Sequence, residues 1–316
     1  MTESNPLNAL RCYEVATRKE WLAAGMSVQQ FRTLVTQGHL IRQRYGAYAT
    51  SQAAADSGGD AEQVHALLAA AAIARTGRTV CVASHQSAAL IQDLNLLVSP
   101  GDAVTLTREP DVRTRPRKTA DLTIHLARLP SADIQQRYGV RVTAPARTVV
   151  DLARTLPFMD AVVVADDAIR KSRVSKAKMR QILSGCAIWP GATSAARVID
   201  FSNGLAESVL ESCVRVMFDT WGLPAPELQV KISVGGGQYF QVDFYWPEFN
   251  TVAEADGMLK YDRPDRPQAM RQQFKRDRLL RDNGCKVVHI TWDELFRHPE
   301  VVLARLRKAF AAPSPW

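Results

Sequence analysis

Three carboxylates stand where a pair of strands should be apolar. Val242–Trp246 is apolar except for Asp243, and Thr251–Asp256 is small and apolar except for Glu254 and Asp256. Side chains two apart on a strand share a face, so Glu254 and Asp256 point the same way. If the two strands are neighbours across the turn at Pro247, Asp243 joins them. A carboxylate held among apolar side chains is costly unless it is paired or binds a metal. An all-oxygen set suits Mg²⁺, or Mn²⁺ in its place, which keeps several of its waters. Lys260 follows closely as a cation. The expected chemistry is metal-dependent hydrolysis of a phosphodiester. The competing reading is that the carboxylates form structural ion pairs with nearby arginines.

The order Asp243, then Glu254-Ala-Asp-Gly-x-x-Lys260-Tyr261, resembles the PD-(D/E)xK restriction-endonuclease-like superfamily, and within it the very-short-patch-repair-like branch of actinobacterial type. The likeness runs from about Asn203 to the C-terminus. It takes in Ala206-Glu-Ser-Val-Leu-Glu-Ser212, Gly222-Leu-Pro-x-Pro226, Leu228-Gln-Val230, Phe274-Lys-Arg-Asp-Arg-Leu-Leu280 and Lys286-Val-Val-His-Ile-Thr-Trp-Asp293. What it implies is a metal held by Asp243, Glu254 and the backbone carbonyl of Ala255, with Asp256 as a further ligand or a supporting partner. It also implies an acidic residue from the preceding helix, for which Glu207 and Glu211 are candidates; four apart, they share a helix face. A carboxylate stabilised by the helix dipole is the other reading of that pair. One position departs from the signature: Asp256 stands where the superfamily has lysine. Either Lys260 supplies the charge from a shifted position, or the fold persists without catalysis.

Around this core the pattern predicts a helix over 207–218, a hairpin with its tip at Gly235-Gly-Gly237, a basic helix over 271–282, a strand over 286–291 and a closing helix over 301–310. The glycine run lacks the Lys-Ser/Thr of a phosphate loop. On the basic helix, Lys275 and Arg276 stand among Arg271, Arg278 and Arg281 as candidates to grip a nucleic-acid backbone.

The N-terminal end carries different signals. Thr17-Arg-Lys-Glu20 and Ser27-Val-Gln-Gln30 are capping boxes that mark two helix starts about ten residues apart. Val28, Phe31, Leu34 and Val35 form one apolar face of the second helix, and Gly38 closes it. Leu40–Tyr48 reads as a hairpin with its tip near Tyr45-Gly46. Helix, turn, helix and hairpin make a winged helix-turn-helix. The second helix offers Gln29, Gln30, Arg32, Thr33 and Thr36 to base edges, and the wing offers Arg42 and Arg44 to phosphates. A solvated or dimerising helix pair is the plainer alternative.

Gln52–Glu62, small, polar and Gly-rich, suits a linker. Beyond it, 63–200 alternates helices with short strands. Ser84, His85 and Asp151 invite a hydrolase triad, but no nucleophile elbow surrounds a serine. Arg170–Arg180 holds six basic residues and no acid, and is either a solvated helix end or a phosphate-contacting run. The N-terminal two-thirds resembles the AbiEi-type antitoxins of type IV toxin–antitoxin systems, through Arg44-Tyr-Gly-Ala-Tyr48, Ala83-Ser-His-Gln-Ser-Ala-Ala89 and Val142–Leu152. That resemblance implies an operator-binding repressor whose partner is a nucleotidyltransferase-like toxin.

With 316 residues the chain is long enough for two or three domains, and we expect three: 1–55, 63–200 and 203–316. The fold class expected is mixed α/β: a winged helix, an α/β middle domain and a C-terminal α/β sandwich on a mixed sheet. A net charge of +8 favours a polyanionic partner. The five cysteines are scattered and form no CxxC pair, which argues against a disulfide framework or zinc ribbon. The N-terminus lacks a signal-peptide core, and the Ala66–Ala74 run is too short to span a bilayer. The expectation is a cytoplasmic DNA-binding protein with a Mg²⁺-dependent endonuclease-like domain. The alternatives are a repressor or antitoxin with an inactive nuclease fold, and an RNA-processing or toxin-partner protein. The sequence leaves the oligomeric state open.

Overall fold

The computed structural model describes residues 15–76, 81–111, 115–257 and 266–313, with the backbone alone for 266–270. The chain is mixed α/β and divides into two compact units, Met1–Phe201 and Ser202–Trp316.

In the first unit, β1 (Val15–Thr17) leads into α1 (Arg18–Ala23) and α2 (Val28–Thr36), followed by β2 (Leu40–Arg44) and β3 (Ala47–Thr50). Both capping boxes form: Thr17 and Ser27 each accept a backbone N–H while Glu20 and Gln30 reach back. Trp21, Met26, Phe31 and Leu40 make the small core between the helices and the β1-β3-β2 sheet. Residues 52–62, expected as a linker, are instead mostly helical, in α3 (Ser51–Asp56) and the start of α4 (Ala61–Thr76). Their alanines are good helix formers, and only Gly58 and Gly59, both at positive φ, break the run. Helix α4 packs across β1 and β3 and carries an almost continuous alanine face, so the winged helix and the middle segment share one core.

The rest of this unit is a six-stranded sheet in the order β6-β7-β5-β4-β9-β8. Its strands are β4 (Cys81–Ala83), β5 (Val104–Arg108), β6 (Arg117–Lys118), β7 (Leu122–Leu126), β8 (Ile134–Arg137) and β9 (Val140–Thr143). The helices of this region are α5 (His85–Ile91), α6 (Pro145–Thr155), α7 (Phe158–Arg170), α8 (Lys176–Ser184) and α9 (Ala192–Phe201). At the end of this unit, α9 packs against α6, α7 and α8.

The second unit opens with α10 (Val209–Thr220), capped by Ser208. Glu207 therefore lies just before the helix, not inside it as the sequence pattern suggested. A four-stranded sheet follows in the order β10-β11-β12-β13, from β10 (Glu227–Ser233), β11 (Tyr239–Trp246), β12 (Thr251–Asp256) and β13 (Lys286–Thr291). The first three strands are antiparallel neighbours, and β13 runs parallel to β12 after the crossover helix α11 (Arg266–Asp282). Helices α12 (Trp292–Arg297) and α13 (Pro299–Ala311) close the unit. Phe218 packs edge-on against Phe244 and Trp246, which anchors α10 on the sheet. Val252, Val242, Leu280 and Cys285 form a second core cluster. No helix among the described residues is long and apolar enough to cross a membrane. The described cysteines Cys81, Cys186, Cys213 and Cys285 are buried and unbridged.

Candidate functional site

Strands β11 and β12 meet in register at Trp246↔Thr251, Tyr245↔Val252 and Phe244↔Ala253. One step further puts Asp243 across from Glu254. There the ladder gives way to a side chain: Oδ2 of Asp243 accepts the backbone N–H of Ala255 at 2.9 Å. Glu254 is buried, and Arg276 of α11 donates to its Oε1 at 2.6 Å. Burial, aided by the charge of Asp243 and opposed by Arg276, pushes the Glu254 carboxyl up to about 8. Burial is the larger cause, the like charge of Asp243 is second, and the Arg276 and His289 cations oppose both.

A third carboxylate arrives from α10. Glu211 is buried, and its Oε2 accepts the backbone N–H of Glu207 at 2.7 Å. Burial raises its pKa, as does the charge of Asp243. Gln229 connects the two: its amide donates to Oε2 of Glu211 at 2.9 Å and to Oδ1 of Asp243 at 3.4 Å. Its own oxygen accepts from Gln241 at 2.6 Å, and Gln241 also donates to Oε1 of Glu207 at 3.3 Å. Gln229 stands in the middle of β10 with φ 53, between the pairs Leu228↔Phe244 and Val230↔Val242. A left-handed backbone at a residue with a β-carbon costs about 1 kcal/mol or more, and such strain gathers at functional sites.

Asp256, at the signature's lysine position, is engaged by His289. The imidazole bridges Asp256 at 2.9 Å and Asp277 at 2.8 Å, and Gln273 approaches Asp256 at 3.4 Å. Its hydrogen bond to Asp256, reinforced by Asp277 and opposed by burial, raises His289 to about 9, so the ring is a cation at neutral pH. Parallel pairing sets His289 beside Glu254. A cation thus does stand near the carboxylates, although not the one the sequence pointed to. Lys260 lies outside the described residues.

The structure brings together Asp243, Glu254, Glu211 and, at the periphery, Glu207 and Asp256. It also places Gln229, Gln241, His289 and Asp277 here, which sequence reasoning had not singled out as site residues. A glutamine inside each of two neighbouring strands was the signal available. Arg276, expected on the outward, phosphate-facing side of α11, turns inward to Glu254 and to the carbonyl of Gln241. Lys275 and Arg278 are exposed, as is the neighbouring Phe274.

Among the described residues no group of three His, Cys, Asp or Glu side chains is placed to hold a metal ion. Asp243, Glu254 and the Ala255 carbonyl would nevertheless supply an all-oxygen donor set. Such a set fits Mg²⁺, which is commonly bound through one or two carboxylates and keeps its remaining waters.

In the first unit, Gln29, Arg32, Thr33 and Thr36 are exposed on or beside α2 as expected. The Gln30 oxygen is committed to the Ser27 N–H at 2.8 Å, so this residue serves the cap. Arg42 is exposed, with its guanidinium 5.5 Å from the ring of the exposed Tyr45, and Arg75 approaches the same ring at 5.3 Å. Arg44 departs from expectation. It is largely buried, ion-paired with Asp121, and donates to the carbonyls of Asp102 and Asp121, so it braces the wing and faces no phosphate. Four of the six cations in the basic run 170–180 are spoken for as well: Arg170 and Lys171 pair with Asp167, Arg180 pairs with Asp200, and Lys176 donates to the carbonyl of Asp200. Ser84, His85 and Asp151 form no triad. Ser84 touches His85 at 3.0 Å, His85 stacks on His125, and Asp151 is tied to arginines.

No family model matches the chain. Two relatives match along nearly their whole length: the uncharacterized proteins MT2308 and Rv2248 of Mycobacterium tuberculosis strains CDC 1551 and H37Rv. Each is 30% identical over 283 residues, covering 90% of this chain and 97% of the relative. The chain belongs to the family of these mycobacterial proteins. A solved structure, that of the Rv2827c protein from Mycobacterium tuberculosis, is similar over 59% of this chain and 71% of its own, at 18% identity and a TM-score of 0.39. That likeness is too slight to carry an argument.

Proposed function

We propose that this is a cytoplasmic DNA-binding protein whose C-terminal unit is a Mg²⁺-dependent endonuclease of the PD-(D/E)xK type. The observation that carries the reading is the pair of a half-buried Asp243 and a buried Glu254, side by side on neighbouring strands, with the charge of Asp243 and burial together holding the Glu254 carboxyl well above its ordinary range. The order of elements from α10 through β13 and the approach of Glu211 from the preceding helix support it.

A bound divalent cation would polarise a phosphodiester oxygen and generate hydroxide from water at neutral pH. Asp243, Glu254 and the Ala255 carbonyl would hold it. The Ala255 N–H fixes the plane of the Asp243 carboxylate. Arg276 must yield part of its hold on Glu254 and is then free to face a phosphate oxygen. His289, held charged between Asp256 and Asp277, places a cation beside Glu254 where the signature lysine is missing. In the first unit, Arg32 with the α2 surface would read the duplex, and Arg42 would meet its backbone.

A second reading is a transcriptional repressor or antitoxin, partnered by a nucleotidyltransferase-like toxin, in which the nuclease fold only binds. The observation in its favour is that Asp256 and Glu254 already have cationic partners. Cleavage decides between the two. The full chain should cut at least one of duplex, mismatched or single-stranded DNA with Mg²⁺ or Mn²⁺, and Asp243→Asn should lower that rate at least a hundredfold. Salt-dependent DNA binding without cleavage of any substrate, RNA included, would leave the repressor reading in place.

A further inference from the structure

The strained residue at the centre of the carboxylate cluster is a glutamine, and its geometry is hard to explain as packing. Its side chain is only partly buried, and its backbone takes the left-handed conformation at φ 53 inside a strand. What that conformation achieves is direction. The amide N–H₂ is set between Glu211 and Asp243, donating to both, while its carbonyl oxygen is held by Gln241 at 2.6 Å. Because Gln241 occupies the acceptor end, the donor end must face the carboxylates. A carboxylate in its place would set a further negative charge beside Glu211 and Asp243, and a lysine would neutralise them with a charge of its own. A neutral donor does neither.

We propose that Gln229 is a positioning residue that orients Asp243 and Glu211 for a divalent cation, acting through its amide and without itself ligating. The inference rests on the metal-site reading above. Asp243 is then gripped at both oxygens, by Gln229 at Oδ1 and by the Ala255 N–H at Oδ2. The two contacts favour one orientation of its carboxylate, the shorter of them being the Ala255 N–H at 2.9 Å. Glu211, drawn to the same amide, is kept within reach of Asp243 despite the like charge. Hydrogen-bonding partners of this kind orient metal ligands, and losing one commonly costs ten- to a hundredfold in affinity.

The test is a Mn²⁺ titration of the full chain followed by electron paramagnetic resonance, with the melting temperature recorded on the same samples. Wild type should bind Mn²⁺ at a site that Asp243→Asn removes. Gln229→Gly takes away the amide, and glycine adopts the positive φ without strain; affinity should fall about ten- to a hundredfold while the melting temperature holds or rises. Gln229→Asn, which tolerates the same backbone but has a shorter arm, should weaken binding in the same range. Binding within twofold of wild type in both variants would overturn the proposal. So would a loss of affinity matched by a loss of melting temperature in both, since Gln229 would then be a structural residue. If wild type itself binds no Mn²⁺ at an Asp243-dependent site, the metal-site reading fails, and this inference fails with it.

Discussion

Asp151→Ala should destabilise the first unit by about 3–5 kcal/mol, the usual cost of stranding one member of a buried ion pair. Asp151 accepts from Arg147 at 2.8 Å and from Arg154 at 3.3 Å, and Arg147 also approaches Asp133 at 3.4 Å. The side chains of Arg147 and Asp151 are only 3% and 2% exposed. Trp189 lies against both guanidinium groups, at 5.1 and 4.8 Å. Burial raises the Asp151 pKa and the two arginines oppose it; without the carboxylate, Arg147 keeps its desolvation cost and loses its nearest counter-charge. Against a typical total stability of about 5–15 kcal/mol, that loss is a large fraction. Urea denaturation of the full chain should show the transition of the first unit displaced accordingly. A loss below about 1 kcal/mol, the range of an exposed ion pair, would mean that the network is solvated and contributes little.

The second unit should lose stability as pH rises from about 5 to 9, and Mg²⁺ should return it. Glu254 titrates near 8 in the folded protein against an ordinary value of 4.5. Between those values the folded state holds a proton that the unfolded state has lost, so stability declines as pH rises through that window. His289 acts in the same direction. Its folded value near 9 lies above the ordinary 6.5, so its contribution is complete below 6.5 and is lost as pH climbs to 9. Each group contributes at most about 1.4 kcal/mol per pH unit. Glu254→Gln should remove its share of the slope and, in the absence of metal, leave the unit at least as stable as wild type at pH 8. Melting curves across pH in chelator and in Mg²⁺ provide the check. A wild-type profile flat from pH 5 to 9, or a Glu254→Gln protein that melts far lower in chelator, would favour a structural ion pair with Arg276 over a metal site.

The parts of this molecule that were legible in sequence are those set by local rules. Thr17-x-x-Glu20 and Ser27-x-x-Gln30 specify caps within four residues, and both form. The two-residue period of Thr251–Asp256 puts Glu254 and Asp256 on one face whatever surrounds them. Partner choice across the fold was less accessible. Arg276 lies on a helix with cations on several sides, and only its position four residues before the buried Leu280 marks it as inward-facing. His289 alternates with Val288 and Ile290, so its face was readable, but its partner Asp277 comes from a helix whose placement no local pattern fixes. Arg44 looked like its neighbour Arg42 in sequence; the difference is Asp121, seventy-seven residues away. Segment 52–62 misled because its two glycines outweighed the helix-forming alanines before them.

The most direct test of the central claim is a crystal of the protein soaked in Mn²⁺, with anomalous scattering used to find the ion. The account predicts a peak bonded to Asp243, Glu254 and the carbonyl of Ala255, with Gln229 still donating to Asp243 and Arg276 drawn off Glu254. A well-ordered site with no peak, and Arg276 still closed on Glu254 at saturating Mn²⁺, would contradict it.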